Sequence, residues 1–230
     1  MRRTNRRNHP HHQKMMSEIF LYDQIGGPTA NATAVLPDIQ GADPSEPITV
    51  RIHSPGGSVL DGEAILSNLR SHPAGFIAQI DGMAFSMAAN IALEADMVVM
   101  PPDGWLMFHF TRSFEGGTAM DLARQKRVLD RMDESLLDKL EARLGPNNPG
   151  REVLDKRLAA EWWVDGKEAL ALGLADRLTT GAALAACAWP RPATAPQECL
   201  NYLDNPAPIP ETPTEPSRLH EKIIFLARHR

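Results

Sequence analysis

The chain has little cysteine: Cys187 and Cys199 are its only two thiols in 230 residues. Both lie near the C-terminal end. They suggest neither a disulfide framework nor a thiolate metal site, and they suit a reducing compartment such as the cytoplasm. No run of about 18 apolar residues occurs, so no membrane-spanning helix is expected. Nor is the basic N-terminal head followed by the apolar segment that a secretory signal requires. Net positive charge is missing too. The formal charge is −5, which argues against nucleic acid as the main partner. There is no Gly-x-x-x-x-Gly-Lys-Ser/Thr loop, hence no phosphate-cradling motor in this chain. Residues 17–125 contain no lysine. No cofactor or metal is implied.

A hydrophobic content of 43% is ample for one core, and the length suits one domain with tails. Residues 1–16 carry Arg2, Arg3, Arg6, Arg7 and Lys14 together with His9, His11 and His12, and read as a basic disordered arm. Residues 17–180 read as the ordered domain. Residues 181–230 are rich in alanine and proline, which excludes regular structure over most of their length. Residues 218–230 read either as a short helix or as a plain continuation of the tail.

Within the domain, apolar runs alternate with helical patterns. Ile19–Tyr22, Ile48–His53, Phe76–Ile80, Met97–Met100 and Trp105–Phe110 read as strands, several closed by glycine or proline. Asp61–Leu69 and Ser86–Ala95 read as helices, and Thr29–Leu36 is ambiguous. Strand–helix alternation with short connections predicts βαβ crossovers and a mainly parallel sheet flanked by helices. Nearly continuous apolar strands fit a sheet buried on both faces. Met120–Leu144 reads as one long amphipathic helix, with Leu122, Leu129, Met132, Leu136, Leu140 and Leu144 on one face. Arg151–Ala160 and Gly166–Leu172 follow as helices, and a short strand after Asp176 ends the domain.

Two segments carry the chemistry. Ile52-His53-Ser54-Pro55-Gly56-Gly57-Ser58-Val59 places a glycine turn after a buried strand, where open parallel sheets bind ligands and where an N–H can face a cleft. Asp81-Gly82-Met83-Ala84-Phe85-Ser86-Met87-Ala88-Ala89-Asn90 places one serine among small residues at a helix start, where free N–H groups favour developing negative charge. Ser86 is a candidate nucleophile, with a helix N-cap as the alternative role. His109, in Leu106-Met107-Phe108-His109-Phe110, is the candidate base. The orienting acid is open between Glu161, in Ala159-Ala160-Glu161-Trp162-Trp163, and its rivals Asp155 and Asp165. Hydroxyl, imidazole and exposed N–H donors together compose a serine-hydrolase site.

These ordered segments resemble the Clp protease proteolytic subunit (ClpP) family. The resemblance rests on Ile-x-Ser-Pro-Gly-Gly-Ser-Val, Gly-Met-Ala-x-Ser-Met-Ala-Ala and Met-x-His. Glu168-Ala169 followed by Gly173-Leu174-Ala175-Asp176 completes it. It covers about residues 17–180. It implies a spiral of βα units, shared with crotonases, from which a long helix protrudes. It implies Ser86 as nucleophile, His109 as base, and the Gly57 and Met87 N–H groups as oxyanion hole. The family's acid is usually aspartate, and the matching position holds Glu161. His53 stands where the family more often has asparagine, and is read as structural. Glu18-Ile19-Phe20-Leu21-Tyr22, Gly62-Glu63-Ala64-Ile65 and Trp163-Val164-Asp165-Gly166-Lys167-Glu168-Ala169 are similar to the phage and prophage branch of head maturation proteases.

The resemblance further implies a homo-oligomer, a heptameric ring or stacked rings joined through Met120–Leu144. It also implies a protein or peptide substrate. For the phage branch that substrate is scaffold or capsid protein, in the bacterial cytoplasm or within the prohead. Dependence on a separate ATPase stays open. Three other readings compete: a crotonase-like acyl-CoA enzyme, which needs neither Ser86 nor His109; a Ser–Lys peptidase, opposed by the missing lysines; and a ring protein whose catalytic residues have decayed, which the glutamate keeps in play.

Overall fold

A computed structural model describes residues 17–114, 116–179, 194–197 and 199. The expected basic arm, the helix or tail at 218–230 and most of the Ala/Pro-rich stretch lie outside these residues. Seven strands form one sheet in the order β1-β2-β3-β4-β7, and β5 branches off β3 to pair with β6. The strands are β1 (Glu18–Leu21), β2 (Ile48–Ser54), β3 (Phe76–Phe85), β4 (Met97–Met100), β5 (Trp105–Phe108), β6 (Trp162–Asp165) and β7 (Arg177–Leu178). All pairings are parallel except β5 with β6. The mainly parallel α/β architecture expected from the alternating pattern is present.

The helices are α1 (Ala32–Gly41), α2 (Val59–Arg70), α3 (Met87–Leu93), α4 (Ala119–Leu144), α5 (Arg151–Ala159) and α6 (Gly166–Leu172). Four of them begin on side-chain caps that the sequence supplies. Asn31 accepts from the Ala34 N–H, Ser58 from Asp61, and Asp165 from Glu168. The long helix α4 opens on a reciprocal capping box between Thr118 and Asp121, which satisfies two otherwise orphaned donors. The ambiguous stretch before Leu36 resolves as α1, which runs on through Pro37.

The core lies between the sheet and the helices. Ile48, Val50, Ile52, Ala78 and Ile80 from β2 and β3 are fully buried there, with Leu66 and Leu69 of α2 and Ile91 of α3. Helix α4 joins this core only through its last turns, by Leu136, Leu137, Leu140 and Leu144, while Met120, Leu122 and Val128 stay exposed. Lys139 bridges Glu63 of α2 and Glu94, the residue that caps the end of α3, at 2.9 and 2.8 Å, fixing the buried half of α4 by charge as well as by packing.

The other face of β2 and β3 carries polar groups. Arg51 makes a two-pronged ion pair with Asp81 at 2.5 and 2.7 Å, and the Tyr22 hydroxyl donates to the same carboxylate at 2.6 Å. Such saturation is what a carboxylate buried this deeply needs. His53 is 2% exposed, and its Nδ1 has no partner among the described residues. Burial pushes its imidazole from the ordinary 6.5 down to about 4. The unfolded chain therefore binds a proton between these pH values that the folded one refuses. The stabilisation is complete above about pH 6.5 and is lost as pH falls toward 4, a contribution of about 3 kcal/mol. Urea unfolding should show His53→Asn flattening the fall in stability over that window.

Candidate active site

β3 is long enough to serve two neighbours in succession. Ile77–Gln79 pair with β4, and Met83–Phe85 pair with β5. Its far end therefore leaves the β4 side and enters the branch with β5, and there the chain turns from strand into helix at Ser86. The Ser86 N–H donates to the Met107 carbonyl of β5 at 2.8 Å, and its carbonyl accepts from Asn90 of α3 at 3.0 Å. Ser86 sits at φ 53°, ψ −123°, and its side chain makes no capping hydrogen bond. A serine placed as an N-cap has extended backbone and gives its oxygen to the helix. Ser86 does neither. A left-handed φ at a non-glycine residue costs about 1–3 kcal/mol, and a sharp strand-to-helix turn of this kind presents the hydroxyl outward.

The glycine turn after β2 packs directly on this serine. A Cβ at Gly56 would lie 2.7 Å from Ser86 Cβ, 2.5 Å from the Phe85 carbonyl oxygen and 3.0 Å from the Met87 nitrogen. Glycine at 56 thus leaves the Met87 N–H uncovered, and as the first residue of α3 that N–H has no acceptor within the helix. Gly57 bridges to Ile25 in parallel fashion: Ile25 N–H donates to Gly56 C=O, and Ser58 N–H donates to Ile25 C=O, both at 2.8 Å. The alternation of a parallel ladder then turns the Gly57 N–H away from Ile25. The turn is braced by the Ser54 hydroxyl, which accepts from Gly56 N–H and donates to Asp23 C=O. The Met87 side chain is anchored in the slot left by Gly62 of α2.

His109 was expected inside a strand through Phe110, but β5 ends at Phe108. Its partners run out there: β3 has become α3, and β6 begins opposite Phe108 at Trp162. His109 is thus the first residue past the strand end, two beyond the carbonyl that holds Ser86. It is half-buried, and its Nδ1 lies 2.6 Å from the Phe110 carbonyl oxygen. As the donor, Nδ1–H leaves Nε2 unprotonated, the tautomer a general base needs. Burial holds its pKa below the ordinary imidazole value. The nearby Arg112 cation pushes it the same way, against the Phe110 hydrogen bond and the charges of Glu161 and Asp133.

Glu161 stands at the turn between α5 and β6 with φ 59°. Its carboxylate is bound by the Arg112 guanidinium and the Thr194 hydroxyl, which hold it in the charged form, below the usual carboxylate range, against desolvation. It acts on His109 through space and is not hydrogen-bonded to it. Of the rival acids, Asp155 is exposed on α5, and Asp165 is occupied in capping α6. Asp133 of α4, which the sequence did not single out, accepts the Thr111 N–H at 2.7 Å. Arg112 and Thr194 were likewise unmarked by any local pattern.

A Clp protease family model matches residues 5–182. The chain belongs to the Clp protease family. Similar curated proteins include ATP-dependent Clp protease proteolytic subunit 3 of Rhodococcus jostii, 29% identical over 62% of this chain and 70% of that one. The ATP-dependent Clp protease proteolytic subunit of Porphyromonas gingivalis is 29% identical over 70% of this chain and 72% of its own. Proteolytic subunit 1 of Chlamydia trachomatis is 29% identical over 58% and 70%.

The Gly56 contacts predict a specific sensitivity at Ser86. Gly56→Ala should slow labelling of Ser86 by a fluorophosphonate at least about a hundredfold, the scale of an ångström of misplacement. Time courses of labelling by intact-protein mass spectrometry would measure it.

Proposed function

We propose that the chain is a serine endopeptidase that uses Ser86 as nucleophile and His109 as general base. The reading is carried by Ser86 itself: a strained, uncapped serine at a strand-to-helix turn, tied to the strand whose next residues lead to His109. In the proposed reaction Ser86 Oγ attacks the scissile carbonyl carbon while His109 Nε2 takes its proton. The Gly57 and Met87 N–H groups hold the oxyanion. The imidazolium then protonates the leaving amine, and water, activated by the same imidazole, hydrolyses the acyl-enzyme. The Phe110 carbonyl fixes the ring orientation, and Glu161 supplies negative charge to the imidazolium.

The finer identity we propose is a phage- or prophage-encoded head maturation protease cutting scaffold or capsid protein, supported by the three phrases that resemble that branch. We further propose a ring of subunits, heptameric or stacked. The exposed Met120, Leu122 and Val128 on the outer half of α4 offer an apolar surface for stacking. Among the described residues no helix is long and apolar enough to cross a membrane.

One observation favours a second reading, a ring protein without activity: Glu161 is engaged by Arg112 and Thr194 instead of His109. The two readings separate cleanly. A fluorophosphonate should label the intact chain, and Ser86→Ala should abolish labelling and lower kcat on a casein-derived peptide by about four to six orders of magnitude. Labelling that survives Ser86→Ala would overturn the assignment; no labelling of the wild-type chain would favour the inactive ring.

Two further outcomes follow from the electrostatics. The base must be neutral, so activity is lost as pH falls through the His109 pKa. Because that pKa is lowered, the acid limb of kcat/KM should lie below pH 6.5, the ordinary imidazole value. Native mass spectrometry of the labelled assembly should show a multiple of the subunit mass, with every subunit modified.

A further inference from the structure

One face of the β3–β5–β6 branch is apolar and separate from the main core. Met83 and Trp105 are register partners, as are Phe85 and Met107, and Met107 faces Trp163 across β6. Alternation along the strands puts these side chains on one face, while Ala84, Leu106 and Phe108 enter the main core on the other. Among the described residues, the cover of this second face comes from Ala195 and Cys199. Cys199 is 0% exposed there, and Phe85 meets Trp163 edge-on at 4.9 Å. The segment is thus seated by apolar contact on the strands whose ends carry Ser86 and His109.

That seating delivers Thr194 to Glu161. The carboxylate then has one oxygen on Arg112 and the other on the Thr194 hydroxyl. The His109 Nδ1 is 2.6 Å from the Phe110 carbonyl instead. Charged groups acting on His109 are Arg112 from the loop after β5, Asp133 from α4 and Glu161 from the turn before β6. Asp133 gives one oxygen to the Thr111 N–H, whereas both oxygens of Glu161 are held, one of them by a neutral hydroxyl.

We propose that Thr194 is a positioning residue: docking of its segment on the Met83–Phe85–Trp105–Met107 face makes it hold the Glu161 carboxylate off His109. The inference rests on the reading of His109 and Glu161 as base and acid of one site. Releasing the Thr194 hydroxyl frees Glu161 Oε2 to accept the His109 Nδ1–H. The imidazole then exchanges a carbonyl partner for a carboxylate, which favours its protonated form.

The test follows the His109 titration in the full-length chain, by NMR of ring-labelled histidine assigned with His109→Gln. Thr194→Val keeps side-chain volume and deletes the hydroxyl. It should raise the His109 midpoint by about one pH unit, and the acid limb of kcat/KM should move with it. Cys199→Asp, which places a charge in the apolar seat, should do the same by undocking the segment. In a Glu161→Gln background, Thr194→Val should leave the midpoint where it is. An unmoved midpoint in Thr194→Val, or an equal movement when residue 161 is glutamine, overturns the proposal. Fluorophosphonate labelling of Ser86 is scored separately. Loss of labelling specificity with the midpoint shift intact would sink the peptidase reading alone; the reverse would sink the Thr194 restraint alone.

Discussion

The hydrogen bond from the Ser86 N–H to the Met107 carbonyl is the joint on which the site is built. It exists because β3 changes partners along its length and ends beside β5 instead of β4. That exchange brings the start of α3 next to the segment leading to His109, and the turn after β2 lies against the start of α3. Gly56 can then close against Ser86 with no side chain between. The positions of the proposed nucleophile, base and N–H donors are thus consequences of one branching strand, not of three independently placed loops.

Much of this was legible in the sequence because the signals are local. Glycine turns, an apolar strand pattern and small residues after Ser86 mark the β2 and β3 ends, and the helices fall within a few residues of their periodic patterns. The boundary at His109 was not legible. Phe108, His109 and Phe110 look alike to a pattern of apolarity, and the strand ends only because its neighbours do. Helix α1 was obscured by Pro37, since proline inside a helical pattern ordinarily reads as a stop. The partners of Glu161 were beyond reach for a different reason. Arg112 and Thr194 lie 49 and 33 residues away in the chain, and neither sits in a pattern that announces a long-range contact.

Two histidines show how surroundings separate like side chains. His53 is sealed between strands, edge-on to Tyr22 at 6.1 Å between ring centres, with an Nδ1 that has no hydrogen-bond partner among the described residues. Desolvation alone governs it. His109 is only half withdrawn from solvent and keeps a carbonyl, two carboxylates and a guanidinium within electrostatic reach. Those opposed influences leave it able to gain and lose a proton, which His53 cannot do near neutrality. The sequence places both at or beside strand ends, and only packing tells them apart.

Ser86 and Glu161 are the two non-glycine residues with positive φ among those described. At both positions the backbone alone would be better served by glycine. Folding and reactivity therefore pull in opposite directions there. A serine and a glutamate at such angles carry a backbone cost that contacts elsewhere in the fold must offset.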